Sequence, residues 1–289
     1  MYNPIINFIF YIGAIVLGMF FMHPAFLACS VLMSATLYVT VKGQKALKFL
    51  FGMIPVFIVV SLINPIFNTY GQTVLFTYFG RPYTLEALFY GMAVASMFVS
   101  VLLWFASYNV IVTSDKFLYI FGKIIPSVSM IFTMVLRFIP NYRNKFTQIS
   151  TARKCIGKSG NKEDKKQQIE DGVTEVSALT SWAFEGGIIT ADSMRSRGYG
   201  IGKRTNFSIY NFGTADKLLA AFLFVLAGCT VFCGAMGAAR VSYTPILDIQ
   251  SISNPYTVVG LISYFMFLVT PTALNITEEM TWRILRSKI

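Results

Sequence analysis

Six stretches of this chain run for about twenty residues without a Lys, Arg, Asp or Glu: 5–22, 24–41, 49–67, 87–111, 218–238 and 256–276. A bilayer core of ~30 Å is crossed by ~20 helical residues. In lipid a spanning segment must satisfy its own backbone hydrogen bonds, which a helix does. The expected fold is therefore an all-α membrane protein with about six transmembrane helices. The first run is barely long enough and forms a tight hairpin with the second, broken at His23-Pro24. A seventh apolar stretch, 117–139, is interrupted by Lys123 and Pro126. It is read as a kinked helix lying at, or dipping into, one face of the membrane. Composition agrees: 55% of the residues are hydrophobic and 13% charged, against roughly half and a quarter in soluble domains. No small-residue cleavage site separates the first two runs, so no cleavable leader is expected.

Orientation follows from Lys and Arg. Lys42, Lys45 and Lys48 lie between the second and third runs and mark that side as cytoplasmic. Both termini are then inside, and so is the polar stretch 137–204, which holds thirteen Lys and Arg against seven Asp and Glu. Loops assigned to the outside carry only Arg81 and Arg240. The net charge of +11 is thus mostly a topology signal, and nucleic-acid binding need not be invoked. The expected organisation is 1–136 for the N-terminal membrane helices with the interfacial helix, 137–213 for a cytoplasmic insert, and 214–289 for the closing membrane helices.

Within the insert, Phe146, Ile149, Ala152 and Ile156 recur at helical spacing, and Gly157 is placed as the stop. Residues 158–172, "KSGNKEDKKQQIEDG", read as a solvated loop. A second helical pattern runs from Val173 through Val176, Leu179, Ala183, Phe184, Ile188 and Ala191 to Met194, with Gly198 as its C-cap. The insert is expected to be a pair of amphipathic helices, each ending in a basic cluster followed by glycine.

Several strings of letters suggest other chemistry. "ARKCIGKS" (152–159) fits a loose nucleotide-binding loop, but such a loop follows a strand and opens a helix. Here Ala152–Ile156 finish a helix, and no apolar strand ending in Asp follows to hold magnesium. "GYGIGK" (198–203) likewise follows a helix, and "NFS" (206–208) is a glycosylation sequon on the cytoplasmic side. His23 is the only histidine, and Cys29, Cys155, Cys229 and Cys233 lack metal-ligand spacing, so no metal site is expected.

"VLRFIP" (135–140), "TARK" (151–154) and "ADSMRSRGYG" (191–200) together resemble the T component of energy-coupling factor (ECF) transporters. These are prokaryotic importers of vitamins and transition metals. The resemblance covers the whole layout, and "SMRSRGYG" is its most specific element. The first motif reads Ala152-Arg153-Lys154 where the family has an Ala-Arg-Gly-like triplet. The resemblance implies a non-enzymatic scaffold in the cell membrane, without cofactors. It would link a substrate-binding membrane protein, the S component, to two cytoplasmic ATPase subunits that hydrolyse ATP. The coupling residues it implies are Ala152, Arg153, Lys154, Ser196, Arg197 and Gly198, on a pair of coupling helices. Cargo choice would belong to the S component.

Independently of the family, a cation at a helix C-terminus is favoured by the macrodipole by ~0.3–1 kcal/mol, so both arginines could simply cap their own helices. Lys would serve that purpose equally, whereas Arg offers a planar fork suited to a partner's carboxylates. Arg137 marks a membrane boundary. Arg195 lies ~200° around a helix from Arg197, so the two face nearly opposite ways. Two other functions fit the sequence less well. A self-sufficient secondary transporter usually carries ionisable residues within its spans, and the six runs have none. An intramembrane enzyme needs a polar catalytic constellation at membrane depth, and the spans offer only scattered Ser, Thr and Asn.

Overall fold

The structure, a computed structural model, describes residues 3–69, 71–78, 81–158, 165–202, 212–243, 247–251 and 253–287. Of the described residues 81% are helical, and two short antiparallel β-hairpins stand among them. It is an all-α, multi-pass membrane protein. Among the described residues five helices are long and apolar enough to cross a bilayer: α2 (Pro24–Lys42), α3 (Lys45–Phe67), α4 (Leu85–Ile111), α8 (Thr214–Ala235) and the first part of α9 (Pro255–Ser287). A sixth, α1 (Pro4–Phe20), has 17 residues, the lower limit for a span. The chain divides into two compact units, residues 1–117 with 210–289, and residues 118–209.

The first unit contains the six apolar helices. Asn3 caps α1 by accepting the Ile5 N–H at 3.1 Å, and Pro4 fills the first helical position, where its missing N–H costs nothing. His23 separates α1 from α2. Its Nδ1 accepts the Ala25 N–H at 3.2 Å, which leaves Nε2 to donate to the Gln250 carbonyl, also at 3.2 Å. One buried imidazole thus caps α2 and ties the α1–α2 turn to the loop before α9. Tyr243 adds a second tie, donating to the Met22 carbonyl at 2.8 Å.

α4 is the central helix, with 39% of its span buried, against 11% for α3. Small residues let its neighbours approach. A Cβ on Gly91 would come within 2.6 Å of the Ser61 carbonyl of α3, so only glycine fits there. The core is aromatic: Phe10 packs against Trp104 at 5.6 Å and Phe267 at 5.1 Å between ring centres. Trp104, fully enclosed, donates its indole N–H to Ser30 Oγ at 3.2 Å, and Ser30 in turn bonds Ser100 across α2 and α4. These three buried polar groups are thereby paired with one another within the bilayer, where no water is at hand to do so. Cys233 is a buried thiol against Gly260.

Between α3 and α4 stands the hairpin of β1 (Val74–Tyr78) and β2 (Arg81–Thr84). Glu86, in the first turn of α4, accepts the Gln72 and Thr73 N–H groups at its base. A shorter pair, β3 (Val241–Ser242) and β4 (Asp248–Ile249), joins α8 to α9.

In the second unit, the interrupted stretch 117–139 is indeed broken at its proline. α5 (Ser114–Ile124) ends there, and α6 (Pro126–Cys155) begins with Pro126 at its first position. α6 does not stop at Arg137. It runs 30 residues without a break, apolar over its first half and basic over its second. Within the charged segment 158–172 expected as a loop, the described residues 165–172 are helical: α7 spans Lys165–Ser196. Lys, Gln and Glu are good helix formers, and charge by itself does not end a helix. Residues 159–164 lie outside the described residues.

Candidate functional site

α6 and α7 form an antiparallel hairpin. Tyr142 of α6 meets Trp182 of α7 edge-on at 5.7 Å, and Lys145 Nζ stands 5.4 Å from the centre of the same indole ring. Eleven residues along α6, Arg153 reaches Asp171, eleven residues back along α7. The matched spacing is that of two helices running in opposite directions in register.

Both helices end in the same backbone device. At α6, the Lys158 N–H returns to the Arg153 carbonyl at 3.0 Å and the Gly157 N–H to the Lys154 carbonyl at 3.1 Å, with Gly157 at φ +72°. At α7, the Tyr199 N–H returns to the Met194 carbonyl at 3.0 Å and the Gly198 N–H to the Arg195 carbonyl at 3.0 Å, with Gly198 at φ +79°. These are Schellman caps, and the left-handed glycine is what permits each of them. The stretch "ARKCIGKS" is therefore a helix end up to Lys158. Gly198 in "GYGIGK" has the same role, while Lys203 and the "NFS" sequon lie outside the described residues.

The common cap gives the two motifs a shared frame, and in it their arginines are not equivalent. Arg153 stands four residues before its glycine, at the position that Met194 takes in the second cap. Arg197 stands immediately before its glycine, at the position of Ile156. The environments differ accordingly. Arg153 is 17% exposed at its side chain; its Nη2 bonds Asp171 Oδ1 at 2.5 Å and the Lys158 carbonyl at 3.4 Å, and its Nε lies 4.0 Å from Glu175. It clasps the end of α6 to the beginning of α7. Arg197 is exposed, and its guanidinium has no ion pair among the described residues.

Ala152 and Lys154 are exposed on the last turn of α6. Ser196 Oγ donates to the Ser193 carbonyl at 2.9 Å, closing the last turn of α7. From the level of Arg153 to Arg197 is about 24 residues of α7, roughly 36 Å at 1.5 Å per residue. The six candidate residues thus form two separate points at opposite ends of one hairpin.

Sequence reasoning missed Asp171 and Glu175, the clasp partners of Arg153. Their four-residue spacing places both on one helical face. With 158–172 read as loop, that face did not exist. A further feature is an apolar stripe on α7: Ile169, Val173, Val176, Phe184 and Ile188 are all exposed. At ~100° per residue they fall on a face adjacent to the one that Leu179, Trp182 and Ala183 turn towards α6. Arg153 and Arg197 thus flank an uncovered apolar surface. No family model and no curated protein matches the chain.

Proposed function

We propose that this chain is the membrane scaffold and coupling subunit of an ATP-driven micronutrient importer, of the kind it resembles in the T component of ECF transporters. ATP hydrolysis belongs to two cytoplasmic ATPase subunits, and substrate capture to a membrane S component. The observation that carries this reading is the α6–α7 hairpin: an uncovered apolar stripe with a basic, glycine-capped point near each end. Exposed apolar surface of this extent, edged by polar groups, is the mark of an interaction site. Two points some 36 Å apart suit two partner subunits.

The residues divide the work. Arg197, exposed and unclasped, presents its fork to a carboxylate on one ATPase. Arg153 holds the hairpin closed, and its bond to Asp171 is the one that an incoming ATPase carboxylate replaces when the second point engages. The hairpin then moves as a lever between the ATPases and the S component.

Sidedness supports the same arrangement. The start of α1, the end of α4, the start of α8 and the later part of α9 meet around one cavity, so they share a side. Lys42 and Lys45 mark that side as cytoplasmic, which puts both termini inside. A Ser196→Cys variant in a cysteine-free background should resist a membrane-impermeant thiol reagent on intact cells, while Gln72→Cys reacts.

The direct test is copurification of the full complex. Arg197→Ala should weaken ATPase retention or uncouple hydrolysis from uptake, because removing one arm of a desolvated charge pair costs ~2–5 kcal/mol. Arg197→Lys should restore only part, since a point charge does not replace the fork. Full uptake by the Arg153→Ala, Arg197→Ala double variant would end the coupling reading.

A further inference from the structure

The β-hairpin between α3 and α4 is apolar where a hairpin in water would be charged. Residues 72–80 carry no Lys, Arg, Asp or Glu. Val74, Leu75 and Phe76 are each 52–54% exposed. Among the described residues no further strand joins β1 and β2, so the sheet has two open edges. Soluble proteins blunt such edges with charge or proline, because an apolar open edge invites aggregation. Pro82 stands on β2, but β1 has neither device. A two-stranded hairpin is also only marginally stable in water by itself.

Two details bring this surface to the membrane. Tyr83 of β2 leans on α3, and its hydroxyl stands 3.5 Å from the Leu62 carbonyl oxygen, a long hydrogen bond. α3 has 23 residues, roughly 34 Å at 1.5 Å per residue, against a bilayer core of ~30 Å. Leu62 lies five residues before its end, so the Tyr83 hydroxyl comes down to the edge of the hydrocarbon. The α3 surface there faces lipid: Leu62, Ile63, Ile66 and Phe67 are all exposed. Phe76 continues that surface, because its ring stacks on that of Tyr83 at 4.6 Å between centres and 12° from parallel.

We infer that this β-hairpin is an interfacial anchor, packed on the phospholipids of the leaflet on its own side of the membrane. Its strands lie among the headgroups, where water and headgroup oxygens can pair the open edges. Deeper in the hydrocarbon those unpaired backbone groups would be too costly. The rings of Phe76 and Tyr83 reach down to the boundary, the level at which amphipathic aromatic rings are favoured. Glu86 holds the base of the hairpin, accepting the Gln72 and Thr73 N–H groups at 3.3 and 3.1 Å. Gly71, at φ +133°, leaves it room to do so, since a Cβ there would come within 2.5 Å of Glu86 Oε2. The anchor fixes the depth at which α3 rides, a helix with only 11% of its span buried. It requires only that the unit spans the bilayer, and it stands or falls apart from the coupling role.

The test is spin-label accessibility on the full chain, in a cysteine-free background, reconstituted without partners into phosphatidylcholine vesicles. A nitroxide is placed at Phe76→Cys, with Gln72→Cys as the aqueous reference and Phe67→Cys as the lipid reference. Collision with oxygen, which concentrates among acyl chains, is compared with collision with a nickel chelate confined to water. The oxygen-to-nickel ratio at Phe76→Cys should exceed that at Gln72→Cys several-fold and approach that at Phe67→Cys. Adding Tyr83→Asp should bring the ratio at Phe76→Cys down to the aqueous reference, whereas Tyr83→Phe should leave it high. Phe76 and Tyr83 lie outside the buried core, so folding is not at stake. An aqueous ratio at Phe76→Cys overturns the inference, and so does indifference to Tyr83→Asp. Shielding from both reagents also overturns it, since a protein surface such as a second copy of the chain would then cover the hairpin.

Discussion

In the membrane unit Trp104, Tyr264 and Leu268 are wholly enclosed, whereas in the α6–α7 hairpin no described residue from 127 to 202 is buried. Both regions are helical, and both spend large apolar side chains. The membrane unit turns Phe10, Phe26 and Phe267 inward and leaves its outer face to lipid. The hairpin turns Phe184, Ile188 and Val173 outward and closes on itself through rings and one ion-paired arginine. One region encloses its own core; the other leaves an apolar stripe exposed. Helix pairs draw most of their stability from a packed apolar face, and the hairpin leaves part of its apolar surface uncovered.

This contrast can be broken most directly in the core. Trp104→Ala removes a fully enclosed ring and one of the two hydrogen bonds to Ser30 Oγ, and should cost ~3–5 kcal/mol in thermal unfolding of the detergent-solubilised chain. The equivalent truncation on the hairpin, Phe184→Ala, should change that measurement by less than ~0.5 kcal/mol, because Phe184 is 71% exposed. Similar losses at the two sites would mean that the hairpin has a core after all.

Next in size is the clasp. Arg153→Ala should loosen the hairpin locally by ~1–2 kcal/mol, read as faster hydrogen exchange at the end of α6 and the start of α7. Adding Asp171→Ala should cost little more, since the pair acts as a unit; additive losses would show that the two do not interact. Gly198→Ala comes third, at ~1 kcal/mol, for the strain of a Cβ in the left-handed region. Arg197→Ala is the smallest: no measurable change in stability, with its whole effect, under the proposed coupling role, appearing in ATPase retention. A drop in stability at Arg197 equal to that at Arg153 would make both arginines structural.

The parts legible in the sequence are those fixed by local physics. Apolar runs of bilayer length gave the spans, Pro126 gave the break after α5, and Gly157 and Gly198 gave the helix stops. What stayed hidden depends on which helices meet. Asp171 and Glu175 become partners of Arg153 only in the antiparallel register of α6 and α7. The cavity draws Asn7, Lys116, Leu223 and Glu278 from four helices spread over most of the chain, and nothing in their local patterns links them. The length of α7 is hidden for a different reason: a dense charge run has the look of a loop, although its residues favour helix.

The uneven burial of α3 and α4 bears on how this sequence can drift over time. Across most of α3, lipid asks only that a residue be apolar, so Phe, Ile, Val and Leu can replace one another there almost without selection. Gly91 of α4 has no such freedom, because any side chain would strike the Ser61 carbonyl. Among descendants of a common ancestor, α3 should therefore diverge fastest in letters and least in character. Gly91 and the Ser30–Ser100 pair should persist as fixed points by which distant copies of this membrane unit are recognised.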